Sequence, residues 1–167
     1  MTDQTIADAL AAFDRAIGKT AIEPYKALQD LTDLTVGARL FTVMTVDMER
    51  ELAARVYTSH PKDYPVSGTK PIHYDDWFDT VHKQRRPFVA NTIKDIAKVF
   101  FDHETIWSLG CGSVINLPIE IGGELVCTVN LLDAEHYYTD ERVARAVATL
   151  SMPAKLAYLA TERRARK

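Results

Sequence analysis

His73 closes the stretch HPKDYPVSGTKPIH, residues 60–73, and stands four residues before the apolar pair Trp77-Phe78. Three prolines and a glycine leave this stretch without a hydrophobic period, so it reads as a loop of about 14 residues. Loops of that length in compact domains are uncommon and often functional. An imidazole at the end of such a loop can project into the space beneath the helix that follows. An apolar slot with one well-placed imidazole suits a non-covalent haem b. One ring nitrogen would ligate iron while the other finds an acceptor that sets the tautomer. A histidine there can equally cap or pack with no ligand at all.

Other groups with chemistry cluster nearby. Tyr64, Ser67, Tyr74, His82, Arg85 and Arg86 all lie in the loop or the helix after it. His60 could act as a distal group, and His82, one turn from Phe78, could also reach a pocket. His103 reads as a surface or capping residue and His136 as a loop residue. No two histidines have the spacing of a zinc-binding helix. Two-residue alternation over 51–59 puts Arg55 on one face with Ala53, Tyr57 and Ser59. Arg55, or Arg85 with Arg86, could grip a carboxylate or nitro group in two-pronged fashion. Arg85 and Arg86 also fit a solvated helix end. Cys111 and Cys127 match no redox, haem-attachment or zinc pattern and read as reduced, packed thiols.

These groups must be held by a scaffold. Its centre is GCGSVINLPIEIGGELVCTVNLLDA, residues 110–134, read as a hairpin of strands 114–121 and 125–132. The Gly122-Gly123 pair suits a tight turn because both positions tolerate positive φ. Both strands are apolar throughout, so both faces should be covered and Asn116, Thr128 and Asn130 need partners or a ligand. Before the hairpin come an amphipathic helix over 5–17, a second helix from Pro24, and strands over 38–46 and 51–59. A helix over 74–86 should bury Trp77, Phe78 and Val81. A short strand over 88–92 and a helix over 93–109, with Trp107 inward, complete the middle. The final helix follows Thr139, bends at Pro153 and carries Leu156 and Leu159 on its apolar stripe.

The 167 residues, 47% hydrophobic and 26% charged, suggest one ordinary globular domain. We divide it into N-terminal helices (1–36), sheet and pocket (37–134) and a C-terminal helix (137–167). The net charge of -3 argues against a general nucleic-acid binder, and the basic cluster 163–167 reads as a helix end. No signal peptide or membrane-length apolar run is evident, which implies no membrane association and a cytoplasmic place.

The element order, with GSVINLPIEIGGELVCTVNLLD followed by YYTDERVARAVATL, resembles GAF domains, relatives of PAS domains. That resemblance implies an α+β fold. An antiparallel sheet of five or six strands would have the terminal helices on one face and a ligand pocket on the other, with homodimerisation through those helices. More narrowly, YPVSGTKPIHYDDWFDTV is similar to the haem-containing N-nitroglycine lyases. The resemblance implies that His73 is the iron ligand, with Trp77, Phe78 and Val81 around the haem. It further implies a small anionic substrate held by Arg55, Asn116 or Asn130, an external reductant, and N–N cleavage giving nitrite, glyoxylate and ammonia. The alternative within the same fold is a stand-alone sensor or binding module for a haem-bound gas or a small metabolite.

Overall fold

The computed structural model describes residues 2–166; Lys167, the last residue of the basic cluster, lies outside the described residues. The chain forms two compact units, residues 1–37 with 141–167, and residues 38–140.

The first unit is helical. Helix α1 (Asp3–Ile17) is capped by Thr2, whose hydroxyl accepts from the Thr5 amide, and buries Ala9 and Phe13. Helix α2 (Pro24–Thr35) starts on Pro24, where the missing N–H costs no helical bond, and buries Tyr25, Leu28 and Leu31. Helix α6 (Asp140–Ala165) continues through Pro153. Its buried positions are Ala146, Leu150, Pro153, Ala154 and Ala157. Leu156 and Leu159, expected on the inward stripe, are half exposed instead. The small residues Ala154 and Ala157 take the inward positions because they sit on the same helical face as Ala146 and Leu150. Arg142 donates to the Val36 carbonyl at 2.8 Å. Arg164 donates to the carbonyls of Ile22 and Lys19 at 2.7 and 3.0 Å. The basic end of α6 is thus in part structural, not simply solvated.

The second unit is an antiparallel sheet with short helices. The strands are β1 (Leu40–Asp47), β2 (Leu52–Thr58), β3 (Lys70–Pro71), β4 (Phe88–Ala90), β5 (Ser113–Ile121) and β6 (Glu124–Asp133), in the order β3-β2-β1-β6-β5-β4. The β5–β6 hairpin turns on Gly122 and Gly123, with φ of 62° and 86°, as two glycines allow. Strand β3 lies inside the segment read as loop, where Lys70 and Pro71 pair with Ala53 and Leu52. Two residues carry no detectable period, which is why the pairing is invisible in the sequence.

Two β-bulges decide which side chains share a face. Met44 pairs with Arg55 and Val43 with Tyr57, leaving Val56 as the extra residue of β2. Arg55 and Tyr57 therefore lie on opposite faces, contrary to simple alternation. Tyr57 meets Phe41 edge to face at 5.9 Å on the side of Val43. In the hairpin, Ile119 pairs with Cys127 and Glu120 with Leu125, so Val126 is the extra residue and Leu125 joins the face of Thr128 and Asn130.

The helical segments over the sheet are shorter than their sequence suggests. The run 74–86 becomes a single helical turn, α3 (Asp76–Phe78), opening into a π-helical turn, Asp79–Lys83. Asp75 caps it by accepting from the Phe78 amide at 2.9 Å. The run 93–109 divides into α4 (Ile93–Ala97) and α5 (His103–Ser108). Ile96 and Ile106 are buried, whereas Trp107 is 54% exposed and does not point inward. Leu40, Tyr64, Ile96, Ile106, Val114 and Leu132 form the core beneath these helices, and Phe88 and Phe100 pack against it. Among the described residues, no helix is long and apolar enough to cross a membrane.

Candidate functional site

A cavity of about 180 Å³ lies in the second unit. Its floor is one face of the sheet, where β1 contributes Thr42, Met44 and Val46, and β5 and β6 contribute Asn116, Thr128 and Asn130. Opposite lie His73, Trp77, Phe78 and His82, with Phe100 and Phe101 from the connection between α4 and α5. Most of this lining is apolar, so each polar atom in it has to be accounted for.

One cross-strand row is satisfied. The Trp77 indole donates to Asn116 Oδ1 at 2.9 Å. Asn116 Nδ2 donates to Asn130 Oδ1 at 2.7 Å, and Asn130 Nδ2 donates to Thr42 Oγ1 at 3.1 Å. Asn116 pairs with Asn130 across β5–β6, and Asn130 with Thr42 across β6–β1. Antiparallel pairing brings directly opposed side chains within reach of one another. The row also ties α3 to the sheet through Trp77.

The neighbouring row is not satisfied. It runs Thr128–Met44–Arg55. Thr128 is fully buried, and its hydroxyl has no hydrogen-bond partner among the described residues. Arg55 stacks over the Tyr64 ring at 3.6 Å, donates from Nη1 to the Pro65 carbonyl at 2.8 Å, and faces Asp102 from Nη2 at 3.6 Å. The Tyr64 hydroxyl donates to the same Asp102 oxygen at 2.6 Å. Burial, and next the Asp102 charge, push the Tyr64 hydroxyl well above its ordinary pKa, so it stays a donor. Arg55 Nε is buried and has no partner among the described residues.

The sequence candidates divide accordingly. Arg55, Asn116, His73, Trp77 and Phe78 all line the cavity. Val81 is fully buried but lies outside the lining, and His82 takes the place expected for it. In the π-turn the Gln84 amide bonds back to Asp79, five residues earlier. The wider turn brings position 82, not 81, beside Phe78. His82 stacks on Phe78 with ring centroids 4.5 Å apart. Arg85 leaves the helix end to meet Glu120 at 3.1 Å and the Gly123 carbonyl at 3.3 Å. His60 bonds to Ser59 and His103 to the Phe100 carbonyl, and neither lines the cavity. Asp102 was not among the sequence candidates. It stands inside a run read as one helix; the available signal was an aspartate, a cap-forming residue type, immediately before His103.

Burial, with smaller contributions from Arg85 and Lys83, holds the His82 pKa below its ordinary 6.5. The unfolded chain therefore takes up a proton at this site more readily than the folded one. Stability from His82 is present above about pH 6.5 and declines as pH falls through that value. We expect His82→Phe, which keeps the stack on Phe78, to flatten this part of the urea midpoint between about pH 7.5 and 5.5. An unaltered slope would show that His82 is not its source. Burial also pushes the thiols of Cys111 and Cys127 up, to about 11 and about 12, so neither is a ready nucleophile.

Neither a family model nor a curated protein sequence matches the chain. Solved structures do. The GAF domain of a phosphoenolpyruvate-protein phosphotransferase from Coxiella burnetii aligns with a TM-score of 0.68 at 16% identity, over 99% of this chain and 98% of that one. The GAF domain of a two-component sensor histidine kinase from Bacillus halodurans aligns at 0.66 and 13%, over 84% and 95%. The fold is a GAF fold. A type II free methionine-R-sulfoxide reductase from Thermoplasma acidophilum is also similar, at 0.59 and 12%, over 90% and 94%. At these identities the likeness concerns the fold, and function has to be argued from the cavity.

A haem group is implied by the narrower resemblance, and the residues can be tested against it. His73 lines the cavity at an exposed position and has no hydrogen-bond partner among the described residues. Trp77 and Phe78 supply apolar walls, and the cations Lys70 and Arg55 also line the cavity. That donor set fits haem b. The cavity volume, about 180 Å³, is below the roughly 300–1,000 Å³ typical of drug-sized sites. A macrocycle therefore needs a wider cavity than this one, whereas a small metabolite does not.

Proposed function

We propose that this chain is a ligand-binding module of the GAF fold, holding a small molecule on the sheet face between Arg55 and Thr128. The observation that carries this reading is the apolar cavity in which Arg55 Nε and the Thr128 hydroxyl are buried without partners. Buried polar groups are nearly always hydrogen-bonded, so two orphans in one cavity point to a missing partner. Native mass spectrometry of the purified protein, with a calorimetric titration of the apolar probe indole, tests it. A protein that carries no small molecule and takes up no indole refutes the module.

A second reading is favoured by His73, Trp77 and Phe78 lining the same cavity. In it the chain is a haem-dependent lyase acting on a small nitramine such as N-nitroglycine, with an external reductant. His73 would hold the iron, Trp77 and Phe78 would exclude water, and Arg55 would orient the substrate carboxylate. The chemistry such a group would supply there, when bound and ferrous, is electron density to weaken the N–N bond. His73→Ala is expected to abolish the Soret band of haem-loaded protein; an unchanged spectrum removes His73 from the iron. Nitrite release from N-nitroglycine by the reduced, but not the ferric, protein separates the lyase from the module.

Homodimerisation through the terminal helices belongs to both readings. It is supported by Met152, Leu156 and Leu159, spaced by four and three on α6 and all exposed.

A further inference from the structure

We propose that the cavity ligand is a short carboxylate whose far end carries a hydrogen-bonding group. Its anionic end meets Arg55, its far end meets the Thr128 hydroxyl, and Asp102 is the counter-ion it partly displaces. This rests on the binding-module reading and narrows it to a ligand class.

Arg55 and Thr128 stand in one cross-strand row with Met44 between them. Two strand spacings of roughly 4.8 Å put their backbones about 10 Å apart. With both side chains on the cavity face, the remaining gap suits a ligand with on the order of four to six atoms between its polar ends. Met44 offers an apolar surface for that connecting chain.

The charge at each end is constrained. The guanidinium has one hydrogen bond from Nη1, to the Pro65 carbonyl, and an ion-pair distance of 3.6 Å to Asp102, longer than a hydrogen bond. Nε has none. A carboxylate entering on the Nε side would form a charge-assisted bond that the free protein lacks. Asp102 need not leave the fold when it yields, because Tyr64 still donates to it at 2.6 Å. The stack of Arg55 over Tyr64 keeps the guanidinium in place throughout. At the other end, a threonine hydroxyl both donates and accepts, so it accommodates a hydroxyl, amide or carbonyl on the ligand.

The probes are 4-hydroxybutyrate and 5-hydroxypentanoate, with butyrate and 1,4-butanediol as partial analogues and indole as the apolar reference. Calorimetry should detect a hydroxy acid and butyrate, while butanediol binds far more weakly. Arg55→Lys keeps the charge but not the guanidinium fork, and should weaken the hydroxy acid by about 10- to 100-fold. Thr128→Val is nearly isosteric and should weaken it by about 3- to 10-fold while leaving butyrate unchanged. The thermal transition of each variant reports folding, and the valine variant alone suffices if the lysine variant does not fold. Equal binding of hydroxy acid and diol, or no effect of Thr128→Val, overturns the proposal. If indole binds and no carboxylate does, the proposal falls and the module stands; if neither binds, both fall.

Discussion

Ile106→Ala is expected to cost about 3–4 kcal/mol of folding stability, near the middle of the range for large-to-small core changes. Ile106 is buried in the core shared with Ile96, Val114 and Leu132. It also lines the cavity. The lost side chain therefore removes apolar burial and adds its volume to a space already present, where collapse of the surroundings is hard. For a chain of this size, the melting temperature should fall by roughly 7–15 °C. Apolar solutes enter dry cavities lined by such residues. Benzene or indole should consequently recover part of the loss in the variant, more than it stabilises the wild type. A loss below about 1 kcal/mol would contradict the core position of α5.

Asn130→Leu is expected to cost about 3 kcal/mol, because it orphans two groups at once. Asn116 Nδ2 loses its acceptor and Thr42 Oγ1 loses a donor, both on a buried sheet face. Leaving partners unsatisfied is more expensive than removing a complete network. The triple variant Asn116→Leu, Asn130→Leu, Thr42→Val should therefore be more stable than Asn130→Leu alone. Trp77 would lose its acceptor in that triple variant, so part of the cost remains. Chemical denaturation of the single and triple variants, read as a mutant cycle, measures the coupling. Additive costs would mean the row is not a network.

The two rows explain how a sheet face can be structural and receptive together. The row of Asn116, Asn130 and Thr42 closes its hydrogen bonds internally and holds Trp77 over the cavity. The row of Thr128 and Arg55 leaves hydrogen-bonding capacity buried and unused. Unused polar groups destabilise the free protein, and a ligand that satisfies them recovers that free energy on binding.

Much of the scaffold was legible in the residues. The Gly122-Gly123 turn, Pro24 at the start of α2 and the alternation that marks β2 as a strand are local signals, set by backbone sterics and side-chain period. The order of helices and strands, and through it the GAF fold, followed from those signals. His73, Trp77 and Phe78 were legible as neighbours of a pocket because a proline-rich loop meets an apolar helix start there.

What only the tertiary structure decided depends on pairing between distant segments. The bulge at Val56 reverses the face of Tyr57 relative to Arg55, and it exists through the register of β2 on β1. The π-turn at Asp79–Lys83 exchanges His82 for Val81. Asp102 reaches Arg55 across 47 positions, and no local period encodes that ion pair. Sequence periodicity reports which residues prefer burial; register, bulges and long-range charge pairing report what they are buried against. The fold rests mainly on the first, and the chemistry of the cavity rests on the second.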